Sequence, residues 1–220
     1  MSWRNSPGMS VVHILLVMNI GMFLLQLATG SVGLIETLAL WPLDFSGSVV
    51  YESTQIRPQQ VPQFQLWQLL SYSFLHGNLM HLLLNMYALW LFGTRLERRW
   101  GLRNFTLYYL ACVLGAALVQ LVVAGQSAAQ GEIYPTIGAS GGVFGLLLAF
   151  GLTFPRERLM LVFPPVVLQA KWFVLIYGTI ELWFGITGTA AGVAHFAHLG
   201  GMLAGFLVLW YWNRYPPGYR

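Results

Sequence analysis

Ser140 lies in the run Gly138-Ala139-Ser140-Gly141-Gly142, bracketed by residues with little or no side chain. A serine at the start of a helix can attack a carbonyl while unpaired N–H groups of the first turn face the oxyanion that forms. The hydroxyl is a weak nucleophile, so it needs a general base to take its proton. Three histidines, His81, His195 and His198, stand inside apolar stretches. Asn85 follows His81 by four residues, which puts both on one helix face, where they can donate hydrogen bonds to the same developing charge. In Ala197-His198-Leu199-Gly200-Gly201, continuing to Gly205, the pair Gly201 and Gly205 forms a face over which helix backbones approach closely. Gly141 and Gly145 are the matching face, and packing the two together would bring His198 within reach of Ser140. No acidic residue has an obvious claim to orient that histidine. Glu181 is the one candidate, so a Ser–His dyad is favoured over a triad. The chemistry is acyl transfer to serine followed by hydrolysis.

The elements that must position these residues are membrane spans. Of 220 residues, 57% are hydrophobic and 8% charged, whereas soluble domains carry about 25% charge. One membrane domain over residues 1–220 is expected. The formal charge of +4 is set by basic residues beside apolar segments, not by a charged face, so nucleic acid is not the expected partner. The single cysteine, Cys112, excludes an intrachain disulfide and a CxxC-type metal or redox site.

Six spans are expected: Val11 to Ala28, Leu79 to Phe92, Phe105 to Ala124, Ser140 to Phe154, Trp172 to Ile186 and Val193 to Trp212. The first, after a short cytoplasmic segment of residues 1–10, reads as an uncleaved anchor. Between the first two runs a long segment from Ser31 to Leu75, whose Trp41, Phe45, Tyr51, Phe64 and Trp67 suit the bilayer interface. With the N-terminus cytoplasmic, Arg4, Arg95, Arg98, Arg99, Arg103, Arg156, Arg158, Lys171, Arg214 and Arg220 fall inside. Arg57, Glu36, Asp44, Glu52 and Glu132 fall outside. Spans two, four and six then enter from the outer side and bring His81, Asn85, Ser140, His195 and His198 to one depth. The fourth, roughly 22 Å long against a core of about 30 Å, starts below the outer surface. Non-helical backbone there requires a wet pocket.

From about Trp67 to Leu209 the chain resembles the six-span bacterial rhomboid proteases. His76-Gly77-Asn78-Leu79-Met80-His81-Leu82-Leu83-Leu84-Asn85 resembles that family's HxxxxHxxxN pattern, Gly138-Ala139-Ser140-Gly141 its GxSG motif, and Ala197-His198 with Gly201 and Gly205 its AHxxGxxxG pattern. The resemblance implies Ser140 as nucleophile with its own N–H in the oxyanion hole, and His198, rather than His195, as base. It also implies His81 and Asn85 at the oxyanion, His76 as structural, and a structural role around Glu97, Arg98 and Arg99. Where many members carry Trp-Arg, this chain has Trp67-Gln68, and where many carry tyrosine four residues after the nucleophile it has Phe144.

Two other readings fit these residues less well. His81, His195 and His198 as haem or metal ligands would leave the glycine-flanked serine unexplained, and no HExxH or carboxylate-rich set accompanies them. A non-catalytic client-binding protein would have no need of both Ser140 and His198. The expectation is an all-α membrane protein, a six-helix rhomboid bundle with a long interfacial loop between its first two spans. It would be a serine endopeptidase for single-span membrane proteins, needing no cofactor or metal, in a bacterial inner membrane with both termini cytoplasmic.

Overall fold

The computed structural model describes residues 10–43, 62–160, 166–188 and 194–217. Helix α1 (Val11–Thr29) is mostly apolar, and its buried residues Val12, Asn19, Phe23 and Gln26 recur at intervals of seven, four and three, which is one helical face. Ser10 does not cap this helix with its own side chain. The first-turn donors are satisfied from far along the chain: Glu97 accepts from the Ser10 hydroxyl at 2.8 Å and from the N–H groups of Val11 and Val12 at 3.0 and 2.9 Å. A carboxylate at a helix N-terminus also meets the positive end of the helix dipole. At the other end, the Gln26 amide donates to the His76 carbonyl at 3.2 Å and accepts from the His76 N–H at 3.0 Å.

Helix α2 (Ser31–Leu38) follows Gly30, whose φ of 77° suits glycine. Leu40 then forms an isolated antiparallel bridge with Thr136, exchanging bonds of 3.0 and 2.9 Å. Trp41, expected at the bilayer interface, is instead buried against Ala128, Ile133 and Ile35. Its indole donates to the Ile35 carbonyl at 3.2 Å, since a buried indole must find an acceptor. Phe45, Tyr51, Asp44, Glu52, Arg57, Arg4, Arg220 and Val193 lie outside the described residues. Short helix α3 (Gln68–Ser71) and the 3₁₀ turn Tyr72–Phe74 lead to α4. Gln68 is buried; its carbonyl accepts from the Trp41 and Gln65 N–H groups at 3.3 and 3.2 Å, and its amide donates to Thr37 O at 3.3 Å. At the position where the resemblance expected arginine, a neutral amide ties three separate backbone sites together.

Helix α4 (Leu79–Ala88) is capped by Asn78, whose side chain accepts from the His81 N–H at 2.8 Å. It continues through a π turn, Leu89–Gly93, into α5 (Thr94–Ala129). The two spans expected here are therefore joined by helical turns over Leu79–Ala129, 51 residues, broken at Gly101, where φ is 78° and ψ 165°. Among the described residues, this stretch and Val11–Thr29 are the helices both long and apolar enough to cross a membrane by length and composition. Helix α6 (Ser140–Thr153) is shorter and buried on most sides. A small antiparallel hairpin, β1 (Arg158–Met160) with β2 (Val167–Gln169), pairs Arg158 with Gln169 and Met160 with Val167. The sequence reading had no strand there. Helices α7 (Ala170–Thr187) and α8 (His195–Arg214) complete the fold.

The core is the packing of α5, α6 and α8 around small residues. A β-carbon at Gly201 would fall on the Gly141 carbonyl oxygen, so the two backbones touch. Gly145 meets Cys112 and, at 3.1 Å from its missing β-carbon, the Gly201 carbonyl. Gly205 departs from the expected pairing: it faces α5, not α6, with the Tyr108 hydroxyl and Cys112 against it. Tyr108 then donates to the Gly145 carbonyl at 2.8 Å, and Tyr72 to the Val113 carbonyl at 2.8 Å.

Candidate active site

Ser140 is the first residue of α6, and the strand-like approach to it is held at both ends. The Leu40–Thr136 bridge fixes one end, and a bond of 2.9 Å from the Gly138 N–H to the Tyr72 carbonyl fixes the other. Gly138 has φ of 126°, open to glycine alone. A β-carbon there would stand 2.8 and 2.9 Å from Cε1 and Nε2 of His81 and 3.6 Å from Ser140 Oγ. Glycine therefore lets the His81 ring edge and the serine hydroxyl face the same small space.

The close contact of α6 with α8 carries His198 to Ser140, with Nε2 2.7 Å from Oγ. Phe144, one turn along α6, stacks on the His198 ring at 4.2 Å between centroids and 5° between planes. The phenylalanine in place of tyrosine thus keeps the ring packing and lacks only the hydroxyl. Asn85, 5% exposed, gives one amide hydrogen to the His81 carbonyl at 2.9 Å, which leaves the other of its two donors. His81 Nδ1 accepts from the Gly77 N–H at 3.4 Å. Its Nε2 is then the nitrogen that carries a proton toward the serine side. His76 packs edge-on against His81, with ring centroids 5.1 Å apart.

One member of the cluster is the acid that the sequence offers as the one candidate and that a dyad leaves out. Glu181 of α7 is buried, and its Oε2 lies 2.8 Å from Nδ1 of His198 and 2.6 Å from Nδ1 of His195. The one acidic candidate of the sequence therefore stands against His198, and His195 shares it. The available signal was a lone carboxylate in an apolar run, which by default marks function. Glu181, His195 and His198 also hold three ligand atoms within 4.8 Å of one another. Their hydrogen bonds to each other and to Ser140 already account for that grouping, and His81 is not among them.

The polar side chains of this apolar helical bundle converge where α6 meets α8, and comparison with known proteins makes it an all-α integral membrane protein. Residues 63–215 match the Rhomboid domain, and the chain belongs to the rhomboid family. It is 34% identical over 147 residues to Rhomboid protein 1, mitochondrial, of Saccharomyces cerevisiae, covering 63% of this chain and 40% of that protein. It is 34% identical over 142 residues to RHOMBOID-like protein 4 of Arabidopsis thaliana, covering 64% and 33%. Rhomboid protease GluP of Bacillus subtilis is 32% identical over 153 residues, covering 66% and 26%. The chain thus spans less than half the length of each of these relatives.

Proposed function

We propose that this chain is an intramembrane serine endopeptidase that cleaves single-span membrane proteins through an acyl-enzyme on Ser140, with His198 as general base. The observation that carries the reading is the 2.7 Å approach of His198 Nε2 to Ser140 Oγ at the first residue of α6. Membership of a family that includes a protein named as a protease supports it.

In this mechanism His198 takes the Ser140 proton as Oγ bonds to the substrate carbonyl carbon. The oxyanion is held by the Ser140 N–H, the free amide hydrogen of Asn85 and the His81 Nε2–H. His198 then protonates the leaving amine, and water releases the acyl group with His198 again as base. A substrate helix hides its carbonyls in its own hydrogen bonds, so segments with small or helix-breaking residues open most easily to the serine. No step calls on a metal or cofactor.

The six-span reading places α1, α4 with its π turn, α5 beyond Gly101, α6, α7 and α8 across the bilayer. The chain turns between the second and third spans at the Gly101 break, where Arg95, Arg98, Arg99 and Arg103 cluster. The positive-inside rule supports a cytoplasmic position for that break; in this reading both termini share that side, the wet pocket over Ser140 opens outward, and the membrane is a bacterial inner membrane. The segment between α1 and α4 is then the loop on the outer face.

The test is cleavage of a model single-span substrate by purified wild type, Ser140→Ala and His198→Ala in the same detergent. Both variants should fold and cut nothing. Cleavage by Ser140→Ala equal to wild type would sink the reading, and absence of cleavage and of Ser140 labelling in wild type would turn attention to a client-binding role.

A further inference from the structure

We infer that Glu181 is a positioning residue that turns the Ser140–His198 pair into a Ser–His–Glu triad, with His195 as a second donor to the same carboxylate; this rests on the proposed protease reading. Helix α7 presents large apolar side chains outward over most of its surface, among them Leu175, Trp183 and Ile186, and buries only Ala170 and Glu181. A carboxylate on such a helix is costly to bury and persists only where donors replace its water. Here the two donors are specific. His195 and His198 are three residues apart on α8, so their rings share one face, and both present Nδ1 to Glu181 Oε2, at 2.6 and 2.8 Å.

The consequence for His198 is a fixed tautomer. With Nδ1–H donated to the carboxylate, Nε2 is the bare nitrogen, and it is Nε2 that lies 2.7 Å from Ser140 Oγ. The opposite tautomer would present N–H to the hydroxyl and could not take its proton. When His198 accepts the serine proton, the imidazolium forms directly against a negative charge already in place, and Glu181 itself stays ionised. The stack of Phe144 on the ring face sets the ring plane but supplies no charge. His195 holds the shared oxygen from the other side. Its Nδ1 belongs to the first residue of α8, so the carboxylate also sits by the positive end of that helix.

Glu181→Gln keeps the shape and an acceptor oxygen for Nδ1–H and removes only the charge. Purified full-length wild type, Glu181→Gln, Glu181→Asp and Ser140→Ala are compared for kcat and KM on a single-span substrate, for thermal unfolding, and for the rate at which a fluorophosphonate labels Ser140. Replacing the charged member of the triad by its amide lowers kcat by about 10⁴-fold in a soluble serine protease. A loss of about 10²-fold or more in kcat and in labelling rate is expected for Glu181→Gln, with KM and unfolding temperature held. Glu181→Asp, which restores the charge on a shorter arm, should recover part of the loss. Wild-type kcat and labelling in Glu181→Gln, with Ser140→Ala inactive, would overturn the triad and leave a dyad. Activity retained in Ser140→Ala would overturn the protease reading itself. If Glu181→Gln does not fold, ¹⁵N-histidine spectra of the wild type decide, with His198 assigned through His198→Ala: a proton on Nδ1 and a bare Nε2 support the triad, and the reverse refutes it.

Discussion

Replacing Gly201 by alanine puts one methyl group between two backbones. Its carbon would overlap the Gly141 carbonyl oxygen and stand 2.7 Å from the Gly141 carbonyl carbon and 3.2 Å from its Cα. Carbon atoms rest about 3.5–4.0 Å apart, so relief requires α6 and α8 to part by about 1 Å. No side chain can rotate away, because every clashing atom is main chain. Ser140 directly precedes Gly141 and His198 lies one turn before Gly201, so the separation passes straight to the 2.7 Å contact between them. Stretched by about 1 Å, that contact exceeds hydrogen-bond range, and misplacements of this size cost about 10²-fold in rate. Overpacking costs a further 1–3 kcal/mol or so of stability. The assay is fluorophosphonate labelling of Ser140 together with substrate cleavage and thermal unfolding, in one detergent. Gly125, whose missing β-carbon has nothing within 4 Å, supplies the control: Gly125→Ala should label and cleave as wild type does. A Gly201→Ala protein that labels at the wild-type rate would refute the view that backbone contact between α6 and α8 sets the serine–histidine distance.

Other perturbations read different parts of the molecule. Asn85→Ala removes one oxyanion donor and should slow cleavage by about 10²- to 10³-fold without abolishing it; an unchanged kcat would remove Asn85 from the site. Gln68→Leu strips the acceptor from the Trp41 and Gln65 N–H groups; that of Trp41 is buried, and a buried unpaired donor costs about 1–3 kcal/mol. A large drop in unfolding temperature should follow, and an unchanged one would mean that the amide is not the anchor. Glu97→Gln keeps the shape of the α1 cap but weakens three bonds to a charged acceptor, for a loss of about 1–2 kcal/mol. Cleavage per folded molecule should not change, and a shift in kcat would contradict a purely structural role.

What could be read in the sequence was what is encoded by short spacing. His81 and Asn85 share a face because they are four apart, and Ser140 opens a helix because glycines surround it. The meeting of Gly141 with Gly201 was also legible, since only glycines permit that approach. The contacts of Glu181 were not, because the donors that justify a buried carboxylate sit on another helix, 14 and 17 residues further on. Trp41 was assigned to the interface from its type, whereas its burial depends on the Leu40–Thr136 bridge across almost a hundred residues. The spans expected over Leu79–Phe92 and Phe105–Ala124 left the residues between them unassigned, yet helical turns continue to Gly101 and resume directly after it.

The cap on α1 has a consequence for the order in which the chain is made. Val11 and Val12 leave the ribosome early, while the carboxylate that satisfies their amides is 85 to 86 residues behind. Until Glu97 emerges, the first helix has exposed donors at one end and, with His76 also unmade, an unanswered glutamine near the other. Its docking against the rest of the bundle is therefore a late step of biogenesis, completed only when the segment beyond α4 has been synthesised and folded back. A helix made early is thus fastened by residues made much later.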